Sequence, residues 1–160
     1  MARLIELAGG GPVNEGERVV VQGLLRELPD DYVVAPNVEI ADGRGQRLEY
    51  DVVVAAPHAV YVVETKMLLG SVVGDDREWV VNGSTRPAPI RITAHKARVL
   101  KSFLTAERPV LRSCWVEPVV VLAAPPRSLE LLGDARRTTF DPEGLVRFIL
   151  DPERLPHSPR

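Results

Sequence analysis

One cysteine, Cys114, is the whole thiol inventory of this 160-residue chain. No internal disulfide can form, and Cys114, beside Trp115 at the start of an apolar stretch, reads as a buried core thiol rather than a nucleophile. Long hydrophobic runs are missing too: nothing approaches the ~18 consecutive apolar residues that a membrane-crossing helix needs. The opening "MARLIELAGGGP" has a short apolar patch but no proper n-region and h-region, so no signal peptide is read from it. The expectation is a cytoplasmic chain without a membrane partner. An excess of positive charge is also absent. The formal net charge of −2 argues against a generic nucleic-acid coat, while leaving room for a local basic groove. There is no internal repeat and no low-complexity tract.

What is present fits one soluble globular domain: 160 residues, 45% hydrophobic and 26% charged. "NEGERVVVQGLLREL" (14–28) places Val20, Val21, Leu24, Leu25 and Leu28 at helical spacing, with Asn14 as N-cap and Glu15 and Glu17 in the first turn. "YVVAPNVEI" (32–40) reads as a strand that Pro36 confines to an edge or a bulge. "QRLEYDVVVAA" (46–56) and "AVYVVETKM" (59–67), joined by Pro57-His58, carry a hairpin signal. "SVVG" and "EWVVNG" suggest a second, shorter hairpin, followed by the loop "STRPAP". Residues 89–105 form an amphipathic helix with Pro89 near its start and Ile92, Val99, Leu100, Phe103 and Leu104 as its apolar side. "WVEPVVVLAA" (115–124) is a buried strand with Pro118 marking its edge or start, and 141–150 is a closing helix. The order helix, strands, helix, strand, helix predicts an α/β or α+β domain with a mixed sheet flanked by helices.

The hairpin makes a register argument possible. A turn centred on Pro57-His58 pairs residues whose numbers sum to 115, which sets Asp51 opposite Glu64 and Glu49 opposite Lys66. Alternation then puts Glu49, Asp51, Val53, Val62, Glu64 and Lys66 on one face, and Tyr50, Val52, Val54, Tyr61 and Val63 on the other. Carboxylates directly opposite each other repel, and partial burial sharpens the conflict unless a proton or a cation is shared. A hard divalent ion such as Mg²⁺ resolves it, with Lys66 placed to polarise a water or stabilise charge on a phosphate oxygen. The competing reading is a solvated cluster of Glu64, Lys66 and Glu49 at a strand end.

An acidic residue in one strand followed by E-x-K in the next resembles the PD-(D/E)XK nuclease core. More specifically the chain resembles the nuclease-related domain, NERD. Gly16-Glu17 opens a helix ending in "LREL", and "YDVVVAAPHAVYVVETKMLLGSVVGDDREW" matches the family's D-x-V-V-V, E-x-K, G-x-i-x-G and trailing Trp. A proline-led helix and a "PVVVLA" strand follow. The resemblance covers roughly residues 13–150, leaving 1–12 as an N-terminal extension and 151–160 as a tail or a linker toward another domain. It implies a restriction-endonuclease-like α/β core in which Asp51 and Glu64 bind the metal and Lys66 is the catalytic lysine. Glu17 would be the helix carboxylate completing the site; on the residues alone it is equally a first-turn charge favoured by the helix dipole. One position departs from the family pattern: Ile92 stands where a Gln is expected, with Thr93 and Lys96 as nearby polar residues.

The implied reaction is hydrolysis of DNA or RNA phosphodiesters with Mg²⁺ or Mn²⁺, in nucleic-acid processing or phage defence. Arg91, His95 and Arg98 share a stripe at i, i+4 and i+7, with Arg86 just before, and offer a phosphate-tracking face or an ordinary solvated one. NERD-like domains also occur fused to kinases or helicases, so a catalytically inactive module that binds nucleic acid or a fused or partner protein is the alternative. Trp79 reads as packing on the sheet rather than stacking a base.

Overall fold

Asn14 turns its side chain back to accept the Glu17 N–H at 2.9 Å, and helix α1 (Glu15–Glu27) starts from that cap. The computed structural model describes residues 1–156. Before α1 lies β1 (Arg3–Leu4), and after it come β2 (Val33–Ala41), β3 (Arg47–Ala55) and β4 (Val60–Lys66). A second group follows: β5 (Ser71–Gly74), β6 (Glu78–Val81) and β7 (Ser84–Pro87). Helix α2 (Pro89–Glu107) leads through a short 3₁₀ turn (Pro109–Ser113) to β8 (Val116–Leu122). The chain closes with β9 (Ser128–Leu131), α3 (Asp134–Thr138), β10 (Thr139–Phe140) and α4 (Pro142–Leu150).

Among the described residues the strands form two sheets, in the orders β1-β2-β3-β4-β8-β10 and β7-β6-β5-β9. The larger is mixed: β2, β3 and β4 are antiparallel neighbours, while β8 runs parallel to β4 and β10 parallel to β8. The β3–β4 hairpin has the expected register, Val52↔Val63 through Ala55↔Val60. Val20, Val21 and Leu24 of α1 pack with Val52, Val54, Tyr61 and Val63 on one face, joined there by Leu145, Phe148 and Ile149 of α4. Ala97 and Leu100 of α2 cover Val62 on the other. The result is the expected mixed α/β domain, consistent with a PD-(D/E)XK-like core. No helix among the described residues is long and apolar enough to cross a membrane.

Several local expectations are corrected. "STRP" is a strand, because Asn82 (φ 50°) and Gly83 (φ 82°) supply the two left-handed residues of a tight turn back onto β6. The buried line of α2 is Thr93, Ala97 and Leu100, whereas Ile92 and Phe103 are exposed. Cys114 is only half-buried. Tyr50 does not share a face with Val52: it packs with Val38, Ile40 and Leu100 beneath α2. Asn37, at φ 50°, breaks the pleat of β2 here, and the ladder between β3 and β4 has already ended, so the two-stranded ribbon is free to coil. The Lys66–Glu49 pairing is not formed for the same reason; Glu49 is exposed and opposite Glu39. Of the expected tail, Leu155 packs on the core and Arg154 lies over the Phe140 and Phe148 rings, while 157–160 fall outside the described residues. Pro36 and Pro118 sit as expected at positions whose outer neighbour, β1 or β10, is too short to reach them.

Candidate active site

The β3–β4 ladder stops at Val52↔Val63, one step short of Asp51 and Glu64. Beyond it the strands part, and the Asp51 carboxylate fills the gap by accepting the Thr65 N–H on Oδ2 at 2.8 Å. A backbone donor that would otherwise serve the ladder thus fixes the aspartate. Glu64 remains in the parallel ladder, level with Val120 of β8. The site therefore lies at the carboxyl ends of the parallel pair β4 and β8, the edge where α/β sheets commonly bind ligands.

Two helices close on this edge. Gly16 of α1 packs against Ala123 and Met67, just past the ends of β8 and β4; a Cβ there would stand 3.4 Å from each. The next residue, Glu17, is only 6% exposed. Its carboxylate accepts the Val13 N–H at 2.9 Å and the Asn14 side-chain amide at 3.0 Å, so the cap and the carboxylate orient each other. From the opposite face α2 delivers Lys96, whose Nζ donates to Glu64 Oε2 at 3.1 Å. Lys66 Nζ stands 3.7 Å from Glu64 Oε1. The Lys96 side chain is 14% exposed and that of Lys66 40%, so the first is built in and the second is open to a ligand. The Tyr50 hydroxyl donates to the Lys96 carbonyl at 2.8 Å, and its ring lies 6.0 Å from the same ammonium. Burial pushes the Tyr50 pKa up to about 12, which keeps that hydroxyl a neutral donor.

Burial raises the pKa of Asp51, and the Glu17 charge raises it further; the Thr65 N–H and the Lys96 and Lys66 ammoniums pull the other way. Glu64, 7% exposed, is likewise raised by burial and then by Asp51, against the opposing pull of Lys96 and Lys66. In both, burial is the largest cause, so the ionised form is disfavoured unless a proton or a cation compensates it. Among the described residues no three His, Cys, Asp or Glu side chains are grouped closely enough to hold an ion alone. Two carboxylates with the remaining positions left to water or phosphate is nonetheless the donor set that Mg²⁺ takes in phosphoryl-transfer sites. The Thr65 hydroxyl, on the residue after Glu64, is buried and without a hydrogen-bond partner among the described residues.

The sequence-predicted set of Glu17, Asp51, Glu64 and Lys66 is brought together. Arg91, His95 and Arg98 lie on the solvent side of α2 and Arg86 is exposed on β7; none belongs to a buried cluster. His95 and Arg98 line a groove with Asp42 and Gly43 of the β2–β3 turn. Ile92, 59% exposed, lies one turn before Lys96 on the same side of α2. Lys96 is the residue whose place in the site sequence reasoning did not establish. Its signals were its position one turn after the replaced Gln and the scarcity of lysine, since only Lys66, Lys96 and Lys101 occur in the chain.

A family model described as "Nuclease-related domain" (NERD) matches residues 12–123. No curated protein and no solved structure matches. The match spans every strand of the hairpin, both helices that close on it and the parallel strand beside it, and the chain belongs to the nuclease-related domain family.

Proposed function

We propose that this nuclease-related domain hydrolyses phosphodiester bonds of DNA or RNA with a divalent metal. The observation that carries the reading is the convergence of Asp51, Glu64 and Lys66 at the carboxyl end of β4, with both carboxyl pKa values raised. Asp51 and Glu64 would hold Mg²⁺ or Mn²⁺, which when bound activates water and neutralises phosphate charge. Lys66, the more open of the two lysines, orients an attacking water or meets a phosphate oxygen. Lys96 holds Glu64 in place from behind, and Glu17 completes the acidic edge from α1.

The test is cleavage of plasmid and single-stranded substrates with Mg²⁺ or Mn²⁺ against EDTA, with Asp51→Ala and Lys66→Ala beside the unaltered chain. Cleavage that is metal-dependent and falls by about 10²–10³-fold in Lys66→Ala supports the reading. Activity surviving both substitutions overturns the assignment of the site.

A second reading has its own support. Both Glu64 oxygens already face ammonium groups, and Ile92 replaces the Gln that the family resemblance implies. A catalytically inactive module that binds nucleic acid, or a fused or partner protein, would show no cleavage on any substrate and unchanged binding in Lys66→Ala.

A further inference from the structure

A second charged cleft, of ≈ 920 Å³, opens at the β10 edge of the large sheet and is lined by Arg136, Arg137, Arg147 and Arg154. Its lining lies outside the segment matched by the family, which ends at residue 123. Arg137 is paired with Asp134 at 2.6 Å; among the described residues the other three arginines form no ion pair. Asp141 is the carboxylate in the lining, and its Oδ1 is engaged by the Gly144 N–H at 2.6 Å. Arg154 lies over Phe140 and Phe148, 5.9 and 5.3 Å from the ring centroids, and those rings stack at 4.7 Å. A guanidinium laid on an aromatic face is oriented before any ligand arrives. The cleft is therefore positive, partly preorganised and short of counter-charge, which suits an anion rich in phosphate oxygens.

Its position says which anion. Parallel pairing aligns Glu64 with Val120 of β8, and Val120 with Thr139 of β10. Thr139, in the cleft lining, thus stands level with Glu64 and two strands away, about 10 Å at the usual strand spacing. Its hydroxyl is buried and without a hydrogen-bond partner among the described residues. Phe140 and Phe148, under Arg154, pack in the same cluster as α1, the helix that carries Glu17. An extended polymer passing over the carboxyl ends of β4, β8 and β10 on that side would therefore meet the acidic site and then the arginines. A free nucleotide or phosphate ion has no need of both. We infer that the cleft formed by Arg136, Arg147 and Arg154 binds the phosphate backbone of the same nucleic-acid strand that enters the Asp51–Glu64–Lys66 site. This inference rests on the nuclease reading for the direction of the strand, but its readout is binding.

The experiment measures anisotropy of labelled single-stranded oligonucleotides in Ca²⁺ or EDTA, where cleavage does not interfere. The chains compared are the unaltered protein and Arg136→Gln/Arg147→Gln. Neither arginine belongs to a buried cluster, so the double variant keeps the fold, which circular dichroism and thermal unfolding verify. For an oligonucleotide of about 12 nucleotides, within the range of single-strand sites, the expected result is roughly tenfold weaker binding. The slope of log K against log salt should shallow by about 1.4, at about 0.7 for each phosphate no longer neutralised. A dinucleotide, too short to span both places, should lose clearly less affinity in the double variant than the long strand does. Unchanged affinity and slope for the long strand overturn the inference. So does an equal loss for the dinucleotide or inorganic phosphate, which would mark a free-anion site instead. Failure of the nuclease reading shows elsewhere, as absence of metal-dependent cleavage, and leaves these binding constants intact.

Discussion

The three lysines in a chain with 20 basic residues all face carboxylate or carbonyl oxygens. Lys66 and Lys96 flank Glu64, and Lys101 donates to the Leu111, Arg112 and Cys114 carbonyls at the end of the 3₁₀ turn. A compact ammonium can sit between carboxylate oxygens where a planar guanidinium would need a wider, bidentate approach. Lys96→Arg should therefore disturb Glu64 despite keeping the charge, and a fall in metal affinity by isothermal titration would show it. The raised carboxyls make a second prediction. Because the folded pKa of Asp51 lies above its ordinary value, its ionisation weakens the fold; that stability is present at low pH and lost as pH rises through the raised pKa. Asp51→Asn, which can still accept the Thr65 N–H, should match or exceed the parent's Tm at neutral pH without metal. The difference should vanish in acid, where Asp51 is protonated. With Mg²⁺ the order should reverse, and stabilisation of the parent by Mg²⁺ should be larger at neutral pH than in mild acid, where protons compete for the ligands. A Tm gain independent of both pH and Asp51 would mean that the ion binds elsewhere.

Among the elements, α1 connects local sequence to the site most directly. Asn14 caps the helix and also hydrogen-bonds the Glu17 carboxylate. Asn14→Ala should cost about 1 kcal/mol in urea unfolding, and it should reduce cleavage as well because Glu17 loses an anchor. A stability loss with kcat unchanged would leave Glu17 as a cap alone. The helix was legible because its cap and its apolar spacing lie within a few residues of each other. The β2–β3 ribbon was less so: the register of β3 against β4 followed from the turn, but the face of Tyr50 did not. The left-handed Asn37 reverses the pleat locally, and a period-two pattern cannot register a reversal that leaves the pairing intact.

At the scale of the molecule, the folding unit runs past the family match. Leu145, Phe148 and Ile149 of α4 are buried in the cluster that holds Val119 and Val121 of β8. Three buried side chains of this size contribute about 5–9 kcal/mol, comparable with the total stability of a small domain. A chain ending near residue 124 should therefore fail to unfold cooperatively, as calorimetry would reveal, although it contains Glu17, Asp51, Glu64 and Lys66. Leu24→Ala, which opens a cavity where α1 meets the sheet, should cost about 2–5 kcal/mol by denaturant unfolding.

The sequence by itself determined the hairpin register, the alternation that brings Asp51 toward Glu64, the N-cap of α1 and the existence of the closing helix. All of these are set by interactions between residues near in the chain. Tertiary structure alone decided that the two strands part at Asp51, freeing its carboxylate for the Thr65 N–H, and that Lys96 reaches Glu64 from 32 residues away. It also decided that Thr139, in the lining of the arginine cleft, stands level with Glu64 across β8. Those arrangements depend on which strand enters the sheet beside which, a choice made by burial of both faces of β4 and β8. A linear pattern of charges does not encode it.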